Sequence, residues 1–287
     1  MNSISAALAA SAVKKRPKDS NKGTFGRLLC ICGSYGMAGA AMLCTGAALR
    51  CGAGLVDAAV PASIYPIVAA RLPEAVYTVY QDDFSPVFSS LKKASACVMG
   101  CGLSTKYPQR VENVLQNCRV PLVLDADALN CIAKDISVLD TAQAPLVLTP
   151  HPGEMARLLG CSVLQVQADR AGAAASFSKK HHVILVLKGA GTLVAAPDGR
   201  ILQNTTGNPG MARGGSGDLL AGMIGSFLAQ GVEPYTAAAA SVYLHGLAGD
   251  RCAAALSQQA MLPQDLLHQL PQIFLEIERG QSVFSET

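Results

Sequence analysis

The sequence predicts an α/β fold, a mostly parallel central sheet with helices on both faces. Three observations predict it. Seven short runs rich in Val, Leu and Ile alternate with longer Ala/Leu segments of helical spacing. The runs are continuously apolar, as strands covered on both faces are, and strict strand–helix alternation implies βαβ units. Nearly every run also ends in a polar or glycine cluster, such as "CGSYGMAG", "GCGLS", "LDADALN", "LTPHPGE" and "LKGAGT". In an open parallel sheet those clusters converge on one edge, where ligands collect.

In chain order, residues 1–21 read as a short helix and a basic linker, and 22–287 as a single domain. The strand candidates are "RLLCICG", "GLVDAAVP", "EAVYTVY", "SACVMGC", "PLVLDAD", "APLVLTP" and "HVILVLKG". Helical spacing covers 38–50, 107–117, 154–159 and 163–180. "GTLVAAPDG" and "RILQNTT" form a hairpin at one sheet edge, turned by Pro197, Asp198 and Gly199. From 215 onward the pattern is helical to the end. No linker, repeat or low-complexity tract interrupts 20–280.

Composition sets limits. Of 287 residues half are hydrophobic and 15% charged, with a mean hydropathy of +0.30. Such a chain supports one large core with burial to spare, some of it between subunits. A net charge of +3, with no basic run interleaved with aromatics, makes no case for nucleic acid. The ten cysteines sit in apolar runs without a C-x-x-C pair. They read as small buried hydrophobes of a reducing cytoplasm rather than as disulfide or zinc ligands. The N-terminal apolar stretch precedes its basic residues, the reverse of a signal peptide, and no run approaches the roughly 20 apolar residues of a membrane span.

The chemistry concentrates in "GNPGMARGGSGDLLAG", beginning at Gly207. A glycine-rich turn feeding a helix offers unpaired N–H groups and the positive end of the helix dipole, which suits a phosphate. The chain has no Gly-Lys step, so this is no P-loop, and it is not the G-x-G-x-x-G of a dinucleotide-binding turn. Gly214, Gly215, Ser216 and Gly217 are the candidate anion hole. Asp218 beside them is the candidate general base, in preference to a simple helix cap.

Other strand ends contribute further candidates. Pro150 and Pro152 bracket His151 and aim it. Glu154 either complements the start of a helix or contacts a metal or its water. Asp125 and Asp127, two residues apart, either hold Mg²⁺ or cap the following helix and brace loops; the supporting roles, with an indirect share in metal binding, are preferred. Lys188 ends a buried strand before glycine and is placed to meet nucleotide phosphates. The turns at Gly33, Gly36 and Gly39 and at Gly100 and Gly102 allow close backbone approach, the first letting the Ala40 backbone touch a flat ligand.

Together, "NKGTFGRLLCICGS", "GAAMLCTGAALRCGAGLVDAAVP", "GCGLS", "LDADALN", "LTPHPGEMARLLG", "VLKGAGTLV" and "NTTGNPGMARGGSGDLLAG" resemble the ADP-dependent NAD(P)H-hydrate dehydratase family, from about Lys22 to about Gly249. The resemblance implies a ribokinase-like three-layer sandwich. It implies an enzyme that restores the S epimer of hydrated NADH or NADPH with ADP and Mg²⁺, releasing AMP and phosphate. By that pattern Ala40, Gly102, His151 and Asp218 contact the hydrated dinucleotide. Lys188, Gly189, Ala190, Gly191, Thr192 and Gly217 contact the adenine nucleotide. The family further implies a homotetramer and a functional link to an NAD(P)H-hydrate epimerase, expected here as a separate protein. Two departures stand out: Asn21 where His is common, and Arg213 and Ser216 where Thr is usual. Arg213 brings a charge beside the anion site that bears on nucleotide preference.

Rival readings are a small-molecule kinase of the same superfamily, whose product would be a stable phosphoester, and a non-catalytic nucleotide sensor, for which Asp218 would be only a cap. A dehydrogenase is disfavoured by the missing dinucleotide fingerprint.

Overall fold

The computed structural model describes residues 1–280. Within them ten strands form one sheet: β1 (Asn2–Ser3), β2 (Arg27–Ile31), β3 (Leu55–Pro61), β4 (Val76–Tyr80), β5 (Ala96–Met99), β6 (Leu122–Leu124), β7 (Leu146–Leu148), β8 (Ile184–Leu187), β9 (Leu193–Ala195) and β10 (Ile201–Gln203). The order is β1-β10-β9-β8-β7-β6-β5-β2-β3-β4. Neighbours are parallel except at β8–β9 and β9–β10. Each expected apolar run therefore supplies a strand.

The sheet separates two cores. Leu28, Cys30 and Cys32 point to one face, Leu29 and Ile31 to the other, as the two-residue period of a strand requires. On the first face lie helices Ala38–Arg50, Ser216–Ala229, Pro234–Leu256 and Pro263–Glu278. Small residues bring them close: a Cβ on Gly222 would overlap the Cys44 carbonyl. On the second face lie helices Pro108–Asn117, Pro152–Leu159 and Arg170–His181.

Three details differ from the sequence reading. The segment 163–180 is two helices, Val163–Ala168 and Arg170–His181. Asp169 separates them, its carboxylate accepting from the Gly172 N–H at 2.8 Å to cap the second. The hairpin at 193–203 turns as expected, with the Ala196 N–H bonded to the Arg200 carbonyl, yet β10 is not the edge. The N-terminal residues add β1 outside it, and Ala9 and Ala12 join the first core. Finally, the helical C-terminus is broken into three helices, and an expectation of helix beyond 280 lies outside the described residues.

Candidate active site

Five neighbouring parallel strands, β2, β5, β6, β7 and β8, end on the same edge. The residues that follow them are thus placed side by side: Cys32, Cys101, Asp125, Thr149 and Lys188. Asp125, only 1% exposed, is the hub. Its Oδ1 accepts from the Lys188 ammonium at 2.6 Å and from the Thr149 hydroxyl at 2.7 Å, and the Cys101 thiol lies 3.7 Å from Oδ2. A buried carboxylate needs such partners. Ala126 holds the strained backbone (φ 47°) that separates Asp125 from Asp127. Asp127 turns outward and accepts from the Ser104 N–H at 2.8 Å, a bracing role.

Asp218 reaches this hub from the opposite element. Gly215, with φ 103°, turns the chain, and helix Ser216–Ala229 starts directly after it. The positive φ is the reason for glycine there. Ligand atoms of Asp218, Cys101 and Asp125 all lie within 4.8 Å of one another. Gly217 leaves the room: a Cβ there would stand 3.1 Å from the Lys188 Nζ. Burial pushes the Asp218 carboxyl up to about 9, the nearby Cys101 and Asp125 adding to the shift and Lys188 opposing it. For Lys188, burial opposes the charge, but Asp125 and Glu154 outweigh it and hold the ammonium above the usual lysine range.

His151 caps helix Pro152–Leu159. Its Nδ1 accepts from the Gly153 N–H at 3.0 Å, while Glu154 Oε2 accepts from the His151 N–H at 2.8 Å, a reciprocal capping box. Burial and the Lys188 and Arg157 charges lower the His151 pKa. The neutral ring that caps with Nδ1 carries its proton on Nε2. Glu154 is buried and lies 3.9 Å from Lys188; burial raises its pKa.

A cavity of about 460 Å³ opens beside the cluster, lined by 188–192, by Ser216 and Gly217, and by the loop 204–209. All of the expected nucleotide contacts therefore share one wall. Arg170 shapes that wall, donating to the carbonyls of Ala190 at 2.6 Å, Leu187 at 3.1 Å and Lys188 at 3.3 Å. Asp250 holds the facing loop through the Gly207 N–H and the Asn208 amide. His245 completes the floor; it is 8% exposed and burial lowers its pKa to about 4. Of the glycine turn, Gly214 is exposed and does not line the cavity, and the Ser216 hydroxyl is committed to the Met211 carbonyl at 2.8 Å. The turn therefore offers main-chain N–H groups that have no partner within their helix, that of Ser216 bonded at 3.3 Å to the Arg213 carbonyl. The Arg213 guanidinium donates to the Gln259 carbonyl.

Ala40 and Gly102 meet each other: a Cβ on Gly102 would lie 2.8 Å from that of Ala40. Gly102 directly follows Cys101, whose thiol lies within 4.8 Å of the Asp218 carboxylate, so both groups of expected contacts adjoin the cluster. Sequence reasoning missed Cys101, Thr149, Arg170 and His245. Cys101 sits within "GCGLS" and Thr149 within "LTPHPGE"; nothing local marks the other two.

Comparison with known proteins bears out the family resemblance. A family model described as NAD(P)H-hydrate dehydratase matches residues 28–272, past the Gly249 limit set by the motifs. The ADP-dependent (S)-NAD(P)H-hydrate dehydratase of Neisseria meningitidis serogroup B is 44% identical over 83% of this chain and 80% of its own length. The bifunctional NAD(P)H-hydrate repair enzyme Nnr of Moorella thermoacetica is also 44% identical, over 96% of this chain but 54% of its own length; the chain spans about half of such relatives. Among solved structures, the ADP/ATP-dependent NAD(P)H-hydrate dehydratase of Bacillus subtilis, co-crystallised with ATP and Mg²⁺, superposes with a TM-score of 0.85 at 31% identity, covering 96% of this chain and 98% of that one. A ribokinase-like superfamily protein of Enterococcus faecalis superposes at 0.86 with 30% identity, covering 96% of each chain. The chain belongs to the NAD(P)H-hydrate dehydratase family, with its ribokinase-like fold.

Proposed function

We propose that the chain dehydrates the S epimer of hydrated NADH or NADPH with ADP, giving NAD(P)H, AMP and phosphate. One observation carries this reading. Asp218 directly follows Gly217, which lines the 460 Å³ cavity, and its carboxylate lies within 4.8 Å of the thiol of Cys101, the residue before Gly102, so one carboxylate adjoins both groups of expected contacts. Asp218 takes the proton of the C6 hydroxyl, and that oxygen attacks the terminal phosphorus of ADP. The bond to AMP breaks as the new P–O bond forms. Phosphate then leaves C6 with its electron pair, and loss of the neighbouring carbon's proton restores the ring double bond.

The chain's own groups support each part. The main-chain N–H of Gly217 receives the developing negative charge on phosphate oxygens, and that of Ser216 joins it by giving up its 3.3 Å bond to the Arg213 carbonyl. Lys188, fixed by Asp125, adds a positive charge next to Gly217. His151, whose Nε2 lies 3.4 Å from Glu154 Oε1, shares its Nε2–H between that carboxylate and the dinucleotide while Nδ1 caps its helix. The oxygen-rich donors at this edge fit Mg²⁺. Glu154 has Oε2 committed to the His151 N–H, so it would meet the ion through water while the nucleotide phosphates ligate it directly, the usual habit of Mg²⁺. The ion would neutralise phosphate charge.

We read 22–287 as one catalytic unit, onto which the N-terminal segment packs through Ala9 and Ala12. We further infer a homotetramer in the cytoplasm, acting with an epimerase, as the bifunctional names of relatives suggest. All ten cysteines are free, which fits a reducing compartment. No described helix is long and apolar enough to cross a membrane.

The test is recovery of reduced-nicotinamide absorbance from purified hydrate on addition of protein, Mg²⁺ and ADP. Absence of recovery with both ADP and ATP refutes the reading, and accumulation of a stable phosphoester would mark a kinase instead.

A further inference from the structure

A second cavity, of about 530 Å³, lies at the same sheet edge on the opposite side of Asp218 from the nucleotide cavity. It follows the C-terminal ends of β2, β3, β4 and β5. The two cavities therefore flank the carboxylate cluster, which sits at the ends of β5 and β6. Ser34 ties the new cavity to the site, its hydroxyl donating to the Gly102 carbonyl at 2.8 Å.

The lining has the chemistry of a phosphate-bearing, flat ligand. The Arg110 guanidinium lies 4.2 Å from the Tyr107 ring centroid and 4.9 Å from that of Phe84. It donates at 3.3 Å to the Gln81 carbonyl. These contacts hold the fork in place without neutralising it. Lys106 is exposed and lies 5.2 Å over the Tyr107 ring. Its N–H is bonded to the Ser104 hydroxyl, and Ser104 is fixed in turn by Asp127. Tyr35, 88% exposed, stands at the tip of a turn closed by the Met37 N–H on the Ser34 carbonyl at 2.8 Å. A large ring so exposed is a stacking platform. Asp82 is the acidic residue on the lining, so two cations face one anion.

We propose that this cavity binds the adenosine half of the hydrated dinucleotide, with Lys106 and Arg110 meeting its phosphate oxygens and Tyr35 stacking on its base. This rests on the reading of the dinucleotide as substrate. The phosphate is either the bridging pyrophosphate or the 2′-phosphate that distinguishes hydrated NADPH from hydrated NADH.

The experiment is calorimetric titration of the protein with each purified hydrate in the absence of ADP, where no turnover occurs. Wild type, Lys106→Ala and Arg110→Gln are compared, with ADP affinity as the control for folding. Removing a charge-assisted hydrogen bond to a phosphate weakens binding by about tenfold. Equal weakening for both hydrates identifies the pyrophosphate, and weakening for hydrated NADPH alone identifies the 2′-phosphate; either supports the proposal. Unchanged affinity in both variants, or no binding of either hydrate to wild type, overturns it. Lys106-dependent binding without conversion once ADP is added would refute the dehydration reading and leave this inference standing.

Discussion

The Lys188 ammonium and the Asp125 carboxylate form an ion pair at 2.6 Å, with Gly217 and Asp218 packed against them. The pair ties the end of β8 to the end of β6 and sets the charge that Asp218 feels. Replacing Lys188 by Met leaves a carboxylate that is 1% exposed without its cation. Breaking a buried pair in this way costs about 3–5 kcal/mol. The expected outcome is a lowered Tm together with weakened ADP binding, measured by calorimetry; a Lys188→Met protein as stable as wild type would refute the structural role of the pair.

Desolvation, with Cys101 and Asp125 close by, pushes the half-buried Asp218 carboxyl up to about 9. A general base must be ionised to act. The sign follows: kcat/KM, which reports the free enzyme, rises with pH and levels off near 9. A profile flat from pH 6 to pH 9 would contradict the assignment.

The same shift affects stability. An unfolded aspartate titrates near 3.9, so the folded state holds a proton that the unfolded state gives up between about 4 and 9. The contribution is fully present below the lower value and is lost as pH rises through the folded one. Asp218→Asn removes this loss. Its Tm should exceed that of wild type by a margin that grows from pH 5 to pH 9 and vanishes near pH 4.

His151 combines a cap through Nδ1 with a half-exposed ring whose Nε2 lies 3.4 Å from Glu154 Oε1, and the two roles can be separated. Asparagine is a good N-cap and has no counterpart of Nε2. His151→Asn should keep the wild-type Tm and lose turnover, whereas His151→Ala should lose both, the cap alone costing about 1 kcal/mol. Full activity in the Asn protein would assign His151 to scaffold alone.

Much of this was legible in the sequence because buried parallel strands announce themselves. "PLVLDAD" and "HVILVLKG" predict both β6 and β8 and the edge that brings Asp125 and Lys188 together. The short helices Tyr65–Arg71 and Ser85–Leu91 escape such reading: each has a proline in its first turn and makes only two turns, too few for a periodic signal. β1 escapes it because two residues pairing through their backbone leave no side-chain pattern. Cys101 looks like filler in a glycine turn, and its contact with Asp125 exists only once β5 and β6 are paired. Arg170 and His245 lie on helices far from the motifs, and tertiary packing alone brings them to the nucleotide cavity. Conversely, Arg213 looks like a ligand contact by its place in the motif, while the fold turns it to the Gln259 carbonyl.

The most direct test compares wild type with Asp218→Asn in single-turnover recovery of reduced-nicotinamide absorbance from hydrate, Mg²⁺ and ADP, with ADP binding measured on the same samples. The account predicts that the Asn protein binds ADP as wild type does and recovers no absorbance. Recovery at the wild-type rate by the Asn protein would contradict it.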